Sequence, residues 1–204
     1  MSNLTAHAEH YDAKANKLGM WLFIFTEILL FGGLFIVYSI YRYLYSDAFH
    51  LAARELNLTI GTINSIILLF SSTTVSMAIT SLQKGQNKLS GRLILATIVL
   101  GIIFLVNKYF EWGVKISHGL YPGSDVLAGF GFGDTLFFGL YFAMTGLHAL
   151  HMIVGIGIWG FAYYFIMNGQ TTQYKPSMIE NSGLYWHLID VIWIFLFALF
   201  YLIT

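Results

Sequence analysis

Five apolar runs, each long enough to cross a bilayer, limit what this chain can fold into more than any other feature. They extend over about Leu18 to Tyr45, Leu58 to Leu82, Leu93 to Lys115, Asp134 to Met167 and Gly183 to Ile203. A spanning helix needs about 20 apolar residues. Helices and closed barrels alone satisfy their backbone polar groups inside lipid, and the alternation over about 10 residues that marks barrel strands is missing here. The expected fold class is all-α: a polytopic membrane protein, with one bundle of five transmembrane helices (18–204) after a polar N-terminal segment (1–17). Charged residues make up 10% of the chain, against about 25% in soluble domains. The fourth run exceeds the length needed, so its helix should tilt or extend beyond the bilayer.

The connections SDAFHLAARELN, QKGQNKLSGR, SHGLYPGSDVLAGFGFG and NGQTTQYKPSMIENS are too short to form a separate domain. The N-terminal MSNLTAHAEHYDAKANK lacks the basic-then-apolar layout of a cleavable signal peptide, so insertion is expected to start from the first apolar run. Formal net charge is zero and no basic block suggests nucleic acid. The absence of cysteine excludes disulfides, thiolate metal sites and iron–sulfur clusters. Basic residues favour the cytoplasmic side. Placing the N-terminus inside puts Lys14, Lys17, Lys84, Lys88, Arg92 and Lys175 there, and only Arg42, Arg54 and Lys115 outside. The expected topology is N-in, C-out, with Lys108 snorkelling from the outer end of the third span.

Function should be sought at the ionisable residues inside the apolar runs. Such groups cost about 2.5–3.5 kcal/mol at the bilayer centre and usually face protein. Glu27 lies near the middle of the first span. It reads either as a proton-active or partner-facing carboxyl, or as a protonated one bonded across a helix interface. His148 and His151 are three apart on one helical face, beside the small residues Gly139, Ala143 and Gly146, which permit close helix approach. A metal or haem there would need ligands from His187, Asp190 or Glu111. The other reading is interhelical bonding, or contact with lipid headgroups or a partner subunit. His187, Asp190 and Trp193 share one side of the fifth span. They suit a proton relay, or a polar pair that satisfies itself, the preferred reading. Glu111 before Lys115 has the favoured order for a helical ion pair, and with Lys108 suggests an interfacial charge cluster. Ser71, Ser72, Thr73 and Thr74 are expected to bond back to their own helix. Gly155, Gly157 and Gly160 mimic a dinucleotide-binding pattern. With no preceding strand, tight helix packing is the better account.

These stretches resemble subunit III of the haem–copper oxidases, the cytochrome c oxidase polypeptide III family, in a short five-helix form. The likeness rests on KLGMWLFIFTEILLFGGLF, INSIILLFSSTT, KYFEW, LFFGLYFAMTGLHALHMIVG and YWHLIDVIWIFLF, in that order. It implies a non-redox subunit of a proton-translocating terminal oxidase in aerobic respiratory electron transport. Such a subunit packs on subunit I, binds phospholipid, and supports proton uptake and turnover stability. Haem and copper would reside in subunits I and II. No cofactor, metal ligand or catalytic residue is expected in this chain. A respiratory supercomplex is a further possible partner, and a bacterial cytoplasmic membrane the expected location. By resemblance, Glu27, Glu111 and Asp190 are proton-related or intramembrane polar positions. His148, His151, Glu180, His187 and Trp193 are lipid or subunit contacts. The Thr26–Glu27–Ile28 triplet favours the cytochrome c branch. The alternatives are a subunit III homologue associated with a quinol oxidase or nitric oxide reductase, and a membrane protein holding its own haem or metal. A small transporter is a third, weakened because five spans lack paired repeats.

Overall fold

A computed structural model describes residues 13–169 and 176–202. Residues 1–12 of the polar N-terminal segment, Lys175 and Ile203 lie outside the described residues, as does the side chain of Lys14. The described chain is all helix: α1 (Ala13–Leu44), α2 (Ser46–Ala53), α3 (Leu58–Gln83), α4 (Asn87–Ser117), α5 (Asp125–Phe130), α6 (Phe132–Met167) and α7 (Pro176–Tyr201). Five of these, α1, α3, α4, α6 and α7, are long and apolar enough to cross a membrane. At about 1.5 Å per residue, the 36 residues of α6 reach well past the apolar thickness of a bilayer.

Local signals set the boundaries. Asn57 caps α3 by accepting a 3.2 Å bond from Ile60 N–H, and Ser124 caps α5 through Leu127 N–H at 3.0 Å. These contacts satisfy amides that the first helical turn leaves open. Gly119 follows the end of α4 at φ +73°, and a Cβ there would meet Val126 at 2.9 Å. The chain therefore reverses at a position only glycine fits. The short helices α2 and α5 occupy stretches that read as plain connections. α2 forms because its Phe49, Ala52 and Ala53 bury one face against the bundle.

The bundle wraps around α7, which packs on α1, α3 and α6, while α4 joins α3 to α6. Burial follows this order. Half of the apolar window of α7 (50%) lies inside the bundle, against 11% for α1. At the end that carries α2 and α5, rings close the core. Tyr38, Phe49, Phe137 and Phe200 meet edge to face at centroid distances of 4.9 to 5.6 Å. The Tyr38 hydroxyl donates to the Leu199 carbonyl at 2.5 Å and so ties α1 to α7.

The small-residue stripe of α6 does not serve the close approach expected of it. Nothing lies within 4 Å of a Cβ placed on Gly139, Gly157 or Gly160, Gly146 meets only the edge of Trp112, and Ala143 is exposed. Gly155 alone fits the expectation, with Trp186 at 3.0 Å. The bundle wraps α6 on its aromatic and histidine side, which leaves the small residues facing out. Gly61 on α3 is tight against a pinned side chain: a Cβ there would lie 2.7 Å from the Tyr201 ring. Gly61→Ala should therefore destabilise the subunit by about 1–3 kcal/mol, the usual overpacking cost. Gly32→Ala, with open space at its Cβ, should be neutral or favourable by up to about 1 kcal/mol. Thermal unfolding of the two variants side by side measures the difference.

Candidate functional site

The deepest polar group is a closed ring of hydrogen bonds between α4, α6 and α7. Lys108 Nζ donates to Glu111 Oε2 at 2.9 Å, and to the hydroxyls of Tyr141 and Tyr201 at 3.0 Å each. Both tyrosines donate onward to Glu111 Oε1, at 3.0 and 2.5 Å. An ammonium has three N–H donors, and here all three are used without water. The Lys108 charge also lies 5.3 Å from the Trp193 ring, within cation–π range.

This corrects two expectations. Lys108 does not snorkel: it is 2% exposed and points into the bundle, because Glu111 and two tyrosines supply the ligands that solvent would otherwise provide. Nor does Glu111 pair with Lys115. Lys115 instead donates to the backbone carbonyl of Glu55, just past the end of α2, where a cation is favoured. The predicted interfacial cluster is thus an interior one. Tyr141 and Tyr201 were missed because a tyrosine in an apolar run reads as core. The signal that identifies them is the pair of charges at Lys108 and Glu111, which need nearby hydroxyls once buried.

Glu27 lies about halfway along α1 and meets His151 of α6, with Oε2 3.0 Å from Nε2. The approach is oblique, an ionic contact rather than an aligned hydrogen bond. The other ring nitrogen, Nδ1, is 2.7 Å from the Leu147 carbonyl, which can only accept. Nδ1 therefore carries hydrogen. A proton on Nε2 or on the carboxyl would join the two without net charge. The pair would then be neutral either way, which lowers the cost of placing it in lipid. It adjoins a groove of about 490 Å³ between α1, α6 and α7, lined by Met20, Phe23, Leu150, His151 and Tyr185 among others. Tyr185 donates to the His151 carbonyl at 3.1 Å.

His148 and His151 sit one turn apart but face different helices. His148 turns inward between Phe104 and Trp193, at ring distances of 5.4 and 5.2 Å. His187 and Asp190 do not pair with each other, against the reading preferred from sequence. His187 Nδ1 is 2.6 Å from Ser72 Oγ and Nε2 is 3.3 Å from Ser76 Oγ, because the hydroxyls of α3 face it across the seam. Asp190 points into the core and is 4% exposed. Trp193 donates to Ser65 at 3.1 Å. Ser71, Thr73 and Thr74 bond back to α3 as expected, whereas Ser72 serves His187. Glu180 lies at the surface, 3.5 Å from Lys17. Among the described residues no three His, Asp or Glu side chains converge on a metal-sized space.

A bundle of five apolar helices, whose acids and imidazoles meet one another and hydroxyls, defines a polytopic integral membrane protein. The family model described as cytochrome c oxidase subunit III matches residues 2–204, and the chain belongs to that family, subunit III of the haem–copper oxidases. It is 29% identical to the cytochrome c oxidase subunit 3 of Thermostichus vulcanus over 197 residues, covering 96% of this chain and 90% of that one. It is 28% identical to the "Probable quinol oxidase subunit 3" of Staphylococcus aureus over 202 residues, covering 98% and 94%. The heme-copper oxidase subunit I+III of Aeropyrum pernix matches at 26% over 208 residues, covering 98% of this chain and 24% of that one.

The ring around Lys108 can be tested directly. Breaking a buried pair from one side costs about 3–5 kcal/mol, whereas replacing both partners with apolar groups can be near neutral. Lys108→Met and Glu111→Leu should each lower the stability of the subunit by that amount, and the double variant by less than either. Thermal release of the subunit from the purified complex reads the three values.

Proposed function

We propose that this chain is the non-redox subunit III of a haem–copper terminal oxidase. In this reading it packs on subunit I, has subunit II in the same complex, and contains no catalytic centre of its own. The fused subunit I+III relative supports the first contact, since it carries both parts on one chain. The bundle would lie N-in, C-out, with the α2 and α5 end outside, in a bacterial cytoplasmic membrane. The bacterial relatives support that location. Its groove between α1, α6 and α7 suits the acyl chain of a phospholipid. The Thr26–Glu27–Ile28 triplet supports the cytochrome c branch. A quinol oxidase partner is the second reading, favoured by the nearly equal identity to the quinol oxidase homologue.

The observation that carries the mechanism is the 3.0 Å contact between Glu27 and His151. It holds one proton without net charge at mid-bilayer depth. In this role the pair buffers proton delivery toward subunit I and keeps α1 seated on α6. The subunit would therefore support proton uptake and durability rather than electron transfer.

Glu27→Gln and Glu27→Ala should leave the complex assembled, with unchanged haem spectra and an initial rate close to wild type. Inactivation during turnover should rise severalfold, with altered proton uptake, and His151→Phe should reproduce the effect. Unchanged proton stoichiometry and inactivation rate in all three variants would refute the proton role. A stoichiometric Soret band or bound metal in the isolated polypeptide would instead support a redox centre in this chain.

A further inference from the structure

Two polar side chains in the interior lack the partners that burial requires. Asp190 is 4% exposed, and no hydrogen bond of acceptable geometry reaches either carboxyl oxygen, although the Ser72 hydroxyl is close by. His148 is 1% exposed, and neither ring nitrogen has a partner. Buried polar groups are satisfied in the great majority of proteins, and those that protein atoms do not satisfy are commonly met by internal water. Both orphans flank Trp193. The His148 ring is 5.2 Å from the Trp193 ring, and Asp190 lies one turn earlier on the same face of α7.

A chain of polar side chains leads from Asp190 to the outer face of α3. The Ser72 hydroxyl, beside Asp190, is 2.6 Å from His187 Nδ1, and His187 Nε2 is 3.3 Å from the exposed Ser76. On the other side, the Lys108 ammonium packs on the Trp193 ring at 5.3 Å. The Trp193 ring thus has an imidazole, an ammonium and the Phe104 ring against it, with the acid one turn earlier on the same helix.

We propose that ordered water occupies the interior beside Trp193, hydrogen-bonded to Asp190 on one side and to His148 on the other, and that it exchanges along Ser72 and His187. This hydrated site is separate from the Glu27–His151 pair, which faces α1. It gives the chain a second exchangeable polar position at mid-bilayer depth. It also accounts for an acid and an imidazole that neither pair with each other nor find protein donors and acceptors.

X-ray radiolysis of the assembled oxidase in heavy-oxygen-labelled water tests this, because radicals formed at bound water mark the side chains next to it. Label is expected at Trp193 and His148 despite their burial, well above that at Phe137, which is equally buried among rings. His148→Phe combined with Asp190→Leu should abolish the label at Trp193. Background-level label at Trp193 in the wild type, or label that the double variant retains, would overturn the proposal. Should the double variant fail to assemble, a high-resolution cryo-EM map of the wild-type complex decides. Density within hydrogen-bond reach of both Asp190 and His148 upholds the water. A site without density, or a cation ringed by oxygens, sinks it.

Discussion

The bundle depends on one charge placed where charge is least tolerated. Lys108 is held in the interior by Glu111 and by two tyrosines on other helices. Each tyrosine hydroxyl accepts from the ammonium and donates to the carboxylate, so the ring closes only when α4, α6 and α7 are all in register. Apolar helices in lipid gain little from burying surface against one another, because lipid tails are as apolar as leucine. A ring of charged hydrogen bonds supplies the specificity that the hydrophobic effect cannot supply there. The close approach of Gly61 to the Tyr201 ring then brings α3 against the same assembly.

The remaining polar groups are distributed around α7 and α6 by helix face. Glu27 and His151 meet on the α1 side. His187 meets the hydroxyls of α3. His148 and Asp190 point into the middle. The first is a contact between two ionisable side chains, the second an imidazole between two hydroxyls, and the third two polar groups buried in the core. None brings three ligands to one point among the described residues. Most of these polar residues make their contacts between helices.

Much of the fold was legible because its main determinant is local. Twenty consecutive apolar residues specify a spanning helix without reference to anything distant, and five such runs sufficed for the all-α class. The site was legible only in part, for a physical reason. Spacing along one helix tells which residues share a face, but not which neighbour that face meets. His148 and His151 share a face within one turn, yet the small rotation between them sends one to α1 and the other to α4 and α7. His187 and Asp190 had the spacing of a pair, but Ser72 and Ser76 lay nearer to the imidazole. Lys108 reads as a snorkelling lysine because, although Glu111 stands one turn on, the two tyrosines that complete its ring lie 33 and 93 residues away in sequence.

The exposure of α1 bears on how such a subunit works. With 11% of its apolar window buried, α1 is held mainly by the Tyr38 bond to Leu199, by ring contacts, and by the Glu27–His151 pair. The first lies near the α2 and α5 end, and the pair lies near the middle of the span. Toward the opposite end, the seam is widened by the groove that Met20, Phe23 and Tyr185 line. The proton proposed for the Glu27–His151 pair would bear on the position of α1 as well as on charge. Losing the pair would remove a contact that holds the middle of α1 to α6. In the proposed role, proton occupancy and helix seating would be coupled at this one contact. Under the proposed function, this one contact would serve both proton supply and the endurance of the complex.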